Sequence, residues 1–371
     1  MSESVRISRI GISAFDLPLV RPLRVGDRTL TRRRGLLVIA EDGEGHAGIG
    51  EAAPLPGLHQ ETFEEAAAQL LALAPKLEGS TIPAGCPALD GAFDGWIGGW
   101  IGGRSLHPSV RTGIEGAVLS LLADRAGIGL AGLLAADAAK RVRINGLLDG
   151  EPDRVIEEAA HLAGEGYLAL KLKVGRRGPL EEAELAAAVR ERVGDAVALR
   201  LDANRAWDLP TALGFAEQVA AARPAYLEEP VRDPLDLPLF VHHARLGVAL
   251  DETLLPFSPA APPPLHGVVA LVIKPSVLGG YERAIAWARF ARREGREAVI
   301  SAAFPSAVGL ALDTALAAAL GADGVHGLGT SGGFAADLAR ETLAVSGGAI
   351  DAAHLPFRPR DFALERTRVL R

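Results

Sequence analysis

Short apolar, β-prone runs alternate with segments of helical period from about residue 142 onward. The runs begin near residues 142, 168, 197, 225, 247, 268, 297 and 324, so successive starts differ by 21 to 29 residues. Most intervals hold an Ala-, Leu-, Glu- and Arg-rich segment, such as EEAELAAAVRERVG from residue 181. Eight strands that alternate with helices predict a (β/α) barrel of the TIM type.

A doubly wound open sheet would show the same alternation. Two features favour the barrel: the number of strands reaches eight, and charged residues follow several different strands. The carboxyl ends of barrel strands meet at one mouth, whereas an open sheet spreads them along an edge. We therefore expect the charged residues at the strand ends to converge on one site.

The first third of the chain follows a different pattern. Residues 1–60 hold short β-prone runs separated by turns, whereas residues 61–75 and the segment after Val110 have helical spacing. Residues 78–108 are rich in Gly, Pro and Trp and predict a surface insertion rather than a functional lid. Within it, Trp96 and Trp100 are expected to pack locally, and Cys86 is assigned no role.

The composition narrows the class of protein. Of the 371 residues, 49% are apolar and 23% are charged, which excludes a mainly disordered chain. The net charge of −7 disfavours nucleic acid as a partner. The single cysteine excludes an internal disulfide, an iron–sulfur cluster and a multi-cysteine zinc site. With no apolar run of membrane-spanning length and no signal-peptide pattern, we expect a cytoplasmic protein without a membrane partner.

Three consecutive predicted strands each end in a carboxylate. Asp202 follows the β-prone run VALRL, Glu228 follows AYL, and Asp251 follows VAL. Side by side at a barrel mouth, three carboxylates repel one another unless a cation neutralises them. Because all the ligand atoms are oxygens, the pattern predicts a site for a hard cation, for which Mg²⁺ is the usual choice.

Lysines follow two further strands. Lys171 and Lys173 alternate with Leu172, so both point to one face of the second strand. Lys274 follows the sixth strand, which stands opposite the second in an eight-stranded barrel. Lysines crowded in such a site lose proton affinity and can act as bases. A metal that holds a substrate carboxylate, with a lysine nearby, predicts proton abstraction from the adjacent carbon.

The chain resembles the enolase superfamily, in its muconate-lactonising subgroup, through KLK at 171–173, DAN at 202–204, EEP at 228–230, DE at 251–252 and KP at 274–275. It is also similar to the o-succinylbenzoate synthases in LRLDANRAW at 199–207, LEEPV at 227–231 and much of residues 27–66. The resemblance implies a modified (β/α)7β barrel over residues 136–345 and an α+β capping domain over residues 1–135, with a substrate-specificity loop near 20–35. Residues 346–371 would form a C-terminal tail that returns to the capping domain.

The resemblance implies a lyase of menaquinone biosynthesis. It would dehydrate 2-succinyl-6-hydroxy-2,4-cyclohexadiene-1-carboxylate to 2-succinylbenzoate through a metal-stabilised enolate. Lys173 would abstract the proton and return it to the leaving hydroxyl. Lys171 would lower the pKa of Lys173, and Lys274 would stabilise the enolate from the opposite face. The ligands of Mg²⁺, for which Mn²⁺ could substitute, would be Asp202, Glu228 and Asp251.

The implied substrate is a small dicarboxylate, and the N-terminal region supplies six arginines between residues 21 and 34. Such a basic loop could close over an anionic substrate. The candidate substrate-binding residues are Asn204, Arg34, Ser301 and Gly329. Pro305 stands where relatives often have glutamate, which leaves the surroundings of Lys274 open. The glycine-rich loop after strand eight could offer N–H groups to a carboxylate or form a plain turn.

Two alternative functions stay open. An N-succinylamino acid racemase would use the same lysine pair to remove a proton from one face of its substrate and add one to the other. A non-catalytic barrel that only binds is disfavoured because both lysines and all three carboxylates are present. The sequence HGLG at 326–329, where dipeptide epimerases carry Asp-x-Asp, disfavours a dipeptide substrate. The choice between monomer and homo-oligomer is not decided by the sequence.

Overall fold

The computed structural model describes residues 4–26, 28–83, 105–341 and 343–371. Most of the Gly- and Trp-rich insertion, with Cys86, Trp96 and Trp100, lies outside the described residues. Among the helices described, none is long and apolar enough to cross a membrane.

Antiparallel strands form the base of the N-terminal region. They are β1 Ser4–Arg6, β2 Arg9–Val25, β3 Arg28–Glu41, β4 Ala47–Ala52 and β5 Thr81–Pro83. β3 pairs with both β2 and β4, and β1 pairs with β5. β1 and β5 form a sheet of their own, and the sheet of β2, β3 and β4 has an apolar face on which Ile10, Ile12 and Leu36 are buried. The β2–β3 hairpin carries the arginine-rich segment.

Helices cover these strands: α1 Phe63–Leu77, α2 Pro108–Ala126 and α3 Leu130–Leu134. α1 begins at a capping box in which Thr62 and Glu65 each accept the other's backbone N–H, and it buries Leu70. α2 is buried over most of its length because it lies between β4 and the rest of the chain. Gly50 permits this contact, since a Cβ there would lie 2.1 Å from the carbonyl oxygen of Gly113.

The second region is a closed barrel. Its strands are β6 Arg141–Ile144, β7 Gly146–Leu148, β8 Ala169–Lys173, β9 Ala198–Asp202, β10 Tyr226–Glu228, β11 Val248–Leu250, β12 Val268–Ile273, β13 Glu297–Ile300 and β14 Val325–His326. β7 to β13 form a parallel sheet in chain order. β14 pairs in parallel with β6, and a bridge from Ser301 to Gly327 joins β13 to β14. Because β6 runs into β7, the sheet closes, and the predicted modified TIM-type barrel is confirmed.

The barrel helices are α4 Pro152–Gly164, α5 Pro179–Val193, α6 Leu209–Val219, α7 Leu237–Ala244, α8 Pro275–Leu278, α9 Tyr281–Arg293 and α10 Ala307–Ala319. Their apolar sides pack on the sheet and bury residues such as Ala159, Ala186 and Phe215. The connection from β11 to β12 differs. It contains a 3-10 turn over Glu252–Leu254 in place of an α-helix, which accounts for the shortest predicted strand interval.

Mostly apolar side chains fill the inside of the barrel, together with the buried Arg200, whose guanidinium lies 5.3 Å from the centre of the Tyr226 ring. Tyr226, Ala249, Ala270, Val272 and Val299 form a buried cluster separate from the main core between sheet and helices. Such a plug makes the barrel a packed core and not a channel. The charged residues at the strand ends therefore stand above a packed, largely apolar layer.

The C-terminal segment contacts both regions. It contains β15 Val345–Ser346, β16 Ala349–Asp351 and β17 Arg368–Val369. β16 pairs with β6 at the barrel, and β17 pairs with β2. The side chain of Arg371 lies 2.7 Å from that of Glu78. The division at residues 135 and 345 stays a prediction, although the last strand does lie on the N-terminal sheet.

Candidate functional site

The carboxyl ends of the barrel strands surround a cavity of about 610 Å³, called here the mouth cavity. Seven of the sequence-predicted residues line it: Lys171, Lys173, Asn204, Glu228, Lys274, Ser301 and Gly329. Asp202 and Asp251 lie directly against these lysines. Parallel strand pairing therefore brings the predicted catalytic and metal-binding residues together.

The first half of this cluster lies on three strands in register. Lys171 and Lys173 project from the same side of β8, and Lys173 is level with Asp202, which in turn is level with Glu228. The Nζ of Lys171 lies 2.8 Å from Asp202 Oδ2 and 2.7 Å from Glu228 Oε1. The Nζ of Lys173 lies 2.6 Å from the same Oδ2 of Asp202. The Nζ atoms of two lysines thus share one buried aspartate.

The second half of the cluster lies four strands further round the barrel. Lys274 follows β12, and its Nζ donates to Asp251. On the near side, Lys173 also donates to Asn204 Oδ1 at 2.7 Å. Since β8 and β12 are half a turn apart in an eight-stranded barrel, the two lysines face the cavity from opposite sides.

For Asp202, Lys171 and Lys274, the neighbouring charges together outweigh the effect of burial on the pKa, whereas burial raises the pKa of Asp251 against the charge of Lys274. Burial raises the pKa of Asp202, but Lys171 and Lys173 outweigh it and hold that pKa well below its usual range. Burial lowers the pKa of Lys171, yet the neighbouring carboxylates raise it well above its ordinary value. Lys274 behaves in the same way, because Asp251 raises its pKa against the effect of burial. The expected loss of proton affinity is therefore not found for Lys171 and Lys274.

The three carboxylates have the donor set that Mg²⁺ prefers, since every ligand atom is an oxygen. Oε2 of Glu228 is buried and has no hydrogen-bond partner among the residues described. Burial and the charge of Asp202 raise the pKa of Glu228, against the opposing effect of Lys171 and the other lysines of the mouth. A divalent cation would bind the unpartnered Oε2 of Glu228 and would favour the ionised form of that carboxylate. In the structure, lysines contact all three carboxylates. The carboxylate oxygens of Asp202, Glu228 and Asp251 do not all lie within 4.8 Å of one another.

A second cluster of side chains that could bind a metal lies in the turn between β3 and β4. Ligand atoms of Asp42, Glu44 and His46 lie within 4.8 Å of one another. Arg125 contacts Asp42 and lies 3.0 Å from Glu44. Burial raises the pKa of Asp42, but hydrogen bonds from the Glu44 backbone and from Arg125 lower it to about 2. An arginine already neutralises this cluster, which indicates a structural ion-pair group.

Glu229 is a positioning residue that the sequence analysis did not single out. Its Oε1 accepts the backbone N–H groups of Asp251 and Thr253, each at 2.7 Å. Its Oε2 accepts from Arg205 Nε at 2.8 Å and from the Thr253 hydroxyl at 2.7 Å. The motif EEP contains the residue, but strand alternation assigns only Glu228 to the mouth. Glu229 thus fixes the backbone that carries the neighbouring strand's carboxylate.

Left-handed backbone follows three of the strands that end at the mouth. Asn204, Glu229 and Phe304 have φ angles of 43°, 43° and 55°. Residues with a Cβ occupy this region at a cost and are held there by surrounding contacts. The carbonyl of Phe304, for example, accepts from Nε of the buried Arg33 at 3.0 Å. Strained backbone clusters where the candidate chemistry lies.

The N-terminal region closes one side of the mouth cavity. Arg24 from the β2–β3 hairpin and Leu58 from the segment before α1 line it. Arg34, a candidate substrate-binding residue, does not line the mouth cavity. Its guanidinium lies 3.0 Å from Glu64 and 4.0 Å from the centre of the Phe63 ring, in a separate groove. Strand alternation turns Arg34 away from the barrel, and sequence proximity to other arginines could not reveal this.

The loop after β13 is supported from the N-terminal region. Buried Glu51 on β4 accepts the backbone N–H groups of Ser306 and Gly309, each at 3.0 Å, and also contacts the Ser306 hydroxyl. A carboxylate at the start of α10 satisfies N–H groups that the helix leaves free. The carboxylate beside the loop after β13 is thus supplied by a distant part of the chain.

Family models match both regions of the chain. One described as "Enolase C-terminal domain-like" matches residues 154–356, which cover most of the barrel. Another, described as "MenC, N-terminal domain", matches residues 7–88. The second match covers most of the N-terminal region and the first covers most of the barrel, so the two do not overlap.

Similar proteins cover nearly the whole chain. The o-succinylbenzoate synthase of Vibrio cholerae serotype O1 is 32% identical over 87% of this chain and 90% of its own length. Protein PHYLLO, chloroplastic, of Arabidopsis thaliana is 35% identical over 92% of this chain, which spans 22% of that longer protein. The structure of an N-succinyl Arg/Lys racemase from Bacillus cereus shares the fold, with a TM-score of 0.81 and 21% identity over 99% of this chain and all of that one. The chain is therefore an enzyme of the enolase superfamily and belongs, within it, to the family of the o-succinylbenzoate synthases.

Proposed function

We propose that this enzyme dehydrates 2-succinyl-6-hydroxy-2,4-cyclohexadiene-1-carboxylate to 2-succinylbenzoate. The observation that carries the proposal is the placement of Lys173 and Lys274 on opposite sides of the mouth cavity, with three carboxylates between them. Relatives named for this product, at about one-third identity over most of their length, support it.

The proton transfers fall to Lys173. As a neutral amine, it removes the proton from the carbon that bears the substrate carboxylate, and Asn204 orients it by accepting a hydrogen bond from Nζ. The C–H electron pair becomes the new ring double bond as the C–O bond breaks. The ammonium of Lys173 returns the proton to the departing hydroxyl, which leaves as water.

The other charged residues hold and neutralise the substrate. Lys274 stays protonated and faces the developing negative charge from the opposite side of the ring. Lys171 stays protonated between two carboxylates and keeps them in position. Mg²⁺, when bound, supplies positive charge beside the substrate carboxylate. Its proposed ligands are Asp202, Glu228 and Asp251.

The proposal is tested by incubating the purified enzyme with the cyclohexadiene substrate, with Mg²⁺ or with excess EDTA. Aromatisation changes the ultraviolet absorbance, and we expect conversion only with the metal. Lys173→Ala should lower kcat by about 10² to 10⁴-fold, which is the usual contribution of a general acid or base. Exposed Lys140 provides the control, because Lys140→Ala should leave the rate unchanged. Normal turnover by Lys173→Ala would refute the role of the base.

A second candidate is the racemisation of an N-succinylamino acid. Lysines on both sides of the cavity favour it, because racemisation needs one base on each face. Mass spectrometry of N-succinylphenylalanine incubated in D₂O would detect exchange of the α-hydrogen. Racemisation predicts that Lys274→Ala abolishes exchange for one enantiomer only. Dehydration without any exchange would leave the synthase as the sole activity of the two.

A further inference from the structure

Arg33 on β3 is a buried arginine that binds backbone carbonyl groups. It is 1% exposed, and its hydrogen bonds within the described part of the chain all go to carbonyl oxygens. Burial lowers its pKa to about 10, against the opposing charge of Glu51. Because taking a charge out of water is costly, these hydrogen bonds must compensate for the solvation that the guanidinium loses.

The guanidinium of Arg33 joins two segments that are distant in the chain. Its Nε donates to the carbonyl oxygen of Phe304 at 3.0 Å. Its Nη1 donates to that of Pro54 at 2.8 Å, and its Nη2 donates to that of Ala53. A further bond from Nη1 reaches the carbonyl oxygen of the adjacent Arg34 at 2.9 Å. The planar fork of donors thus fixes the segment after β4 relative to the loop after β13.

Both segments that Arg33 joins contribute to the lining of the mouth cavity. The segment after β4, called here the N-terminal wall, lines it with Leu55, Gly57 and Leu58. The loop after β13, called here the barrel wall, lines it with residues 302–304. One guanidinium therefore bridges two parts of the mouth that come from different regions of the chain.

The barrel wall has a strained backbone at the residue that Arg33 contacts. Phe304 has a φ angle of 55°, which a residue with a Cβ adopts at a cost. Its ring packs against that of Phe334, with 5.7 Å between the ring centres. Glu51 fixes the loop two residues further on, where it accepts the backbone N–H of Ser306. Without Arg33 the carbonyl of Phe304 loses a donor, so we expect the backbone of the barrel wall to relax.

The groups assigned to the chemistry have a different support. Lys173 and Asp202 are level with each other on neighbouring strands, and Lys274 directly follows β12. Strand pairing within the barrel sets these positions, whereas Arg33 holds segments that lie beyond the strand ends. Loss of Arg33 should therefore move the two walls around the substrate and leave the proton-transfer groups in place.

We propose that Arg33 is a positioning residue for substrate binding, because it sets the separation of the N-terminal wall and the barrel wall. This role rests on the proposed function, since the substrate is the molecule that the two walls would contact. A lysine would carry the same charge but would offer one nitrogen in place of the fork, so it could not hold both walls. Binding energy that is lost equally from substrate and transition state raises KM and leaves kcat unchanged.

Arg33→Lys and Arg33→Met test the proposal, with Arg190 as the matched control. Arg190 on α5 is also buried and donates to the carbonyl oxygens of Ala222 at 2.9 Å and Val197 at 2.7 Å, but the segments that it holds do not line the mouth cavity. In the dehydration assay, both Arg33 variants should raise KM about ten-fold and change kcat by less than about three-fold. Arg190→Lys and Arg190→Met should unfold at lower urea concentration than the wild type but keep its KM. Arg33→Lys keeps the charge, so it decides the outcome if Arg33→Met fails to fold.

Hydrogen–deuterium exchange without substrate gives a second readout. The backbone N–H groups of residues 302–304 should exchange about ten-fold faster in Arg33→Lys than in Arg190→Lys. Equal exchange in these two variants, or an unchanged KM in Arg33→Lys, would overturn the proposal. Failure of the wild type to convert the substrate would count against the proposed function alone, because exchange does not depend on turnover.

Discussion

At the scale of single residues, Glu228 and Glu229 are neighbours with opposite surroundings. Every carboxylate oxygen of Glu229 is engaged by backbone or side-chain donors. Glu228 instead keeps one buried oxygen without a partner in the described structure. Satisfied buried carboxylates fix local structure, whereas unsatisfied ones persist where a ligand completes them. The two glutamates of one motif therefore divide into a positioning residue and a candidate metal ligand.

The first prediction concerns Glu228. Glu228→Gln removes a negative charge from the candidate donor set, so we expect the affinity for Mg²⁺ to fall by roughly 10- to 100-fold or more. Isothermal titration with Mg²⁺ alone measures this without any substrate. Glu217→Gln, at an exposed position on α6, is the control. Equal affinities in the two variants would remove Glu228 from the metal site.

The second prediction concerns Glu229. Glu229→Ala leaves the donors of Asp251, Thr253 and Arg205 without their acceptor, which should destabilise the fold by roughly 2–4 kcal/mol. Urea denaturation measures the change in the free energy of unfolding. Glu229→Gln keeps an acceptor oxygen and should lose less. Because the Asp251 backbone is released, Mg²⁺ affinity should fall in Glu229→Ala as well, and an unchanged affinity would contradict the positioning role.

At the scale of elements, α10 begins on a carboxylate that β4 supplies. Glu51→Ala should lower the free energy of unfolding by roughly 2–4 kcal/mol, because three buried donors around Ser306 lose their acceptor. Chemical denaturation measures this, with Glu191→Ala on the exposed face of α5 as the control. A loss no larger than that of the control would show that α10 does not depend on Glu51.

The regular elements were predictable because their periods come from the chain itself. Apolar runs marked all eight barrel strands, and alternation along β8 placed Lys171 and Lys173 on one side. Irregular contacts between distant segments of the chain have no periodic pattern in the sequence that would predict them. The 3-10 turn after Asp251, the position of Arg34 beside Phe63 and the support of α10 by Glu51 depend on tertiary packing, which neither spacing nor residue type specifies.

At the scale of the whole molecule, His59 links the N-terminal region to the barrel. Its Nδ1 accepts the backbone N–H of Leu55 at 3.0 Å, and its Nε2 lies 3.1 Å from the carbonyl oxygen of Ser276. These contacts require a neutral ring with the proton on Nε2. Burial lowers the pKa of His59 to about 4, with Glu61 opposing and Arg33 adding to the shift.

This pKa predicts a pH dependence of stability. Because the folded state binds the His59 proton less tightly than the unfolded chain, the contribution is complete above about pH 6.5 and is lost as pH falls towards 4. Unfolding midpoints of the wild type and His59→Gln, measured between pH 7.5 and 4.5, test this. The gap between the two proteins should narrow towards low pH, and a constant gap would contradict the assignment.

The cap that Glu51 places on α10 limits how this fold can be recombined. A chimaera could join the barrel of one relative to the N-terminal region of another. Its β4 carboxylate and the first turn of its α10 would then come from proteins that evolved separately. Chimaeras should therefore tolerate exchange of barrel loops more readily than exchange of the whole N-terminal region. We expect substitutions in β4 and in the loop after β13 to occur together among relatives, because β4 supplies the carboxylate that accepts the N–H groups at the start of α10.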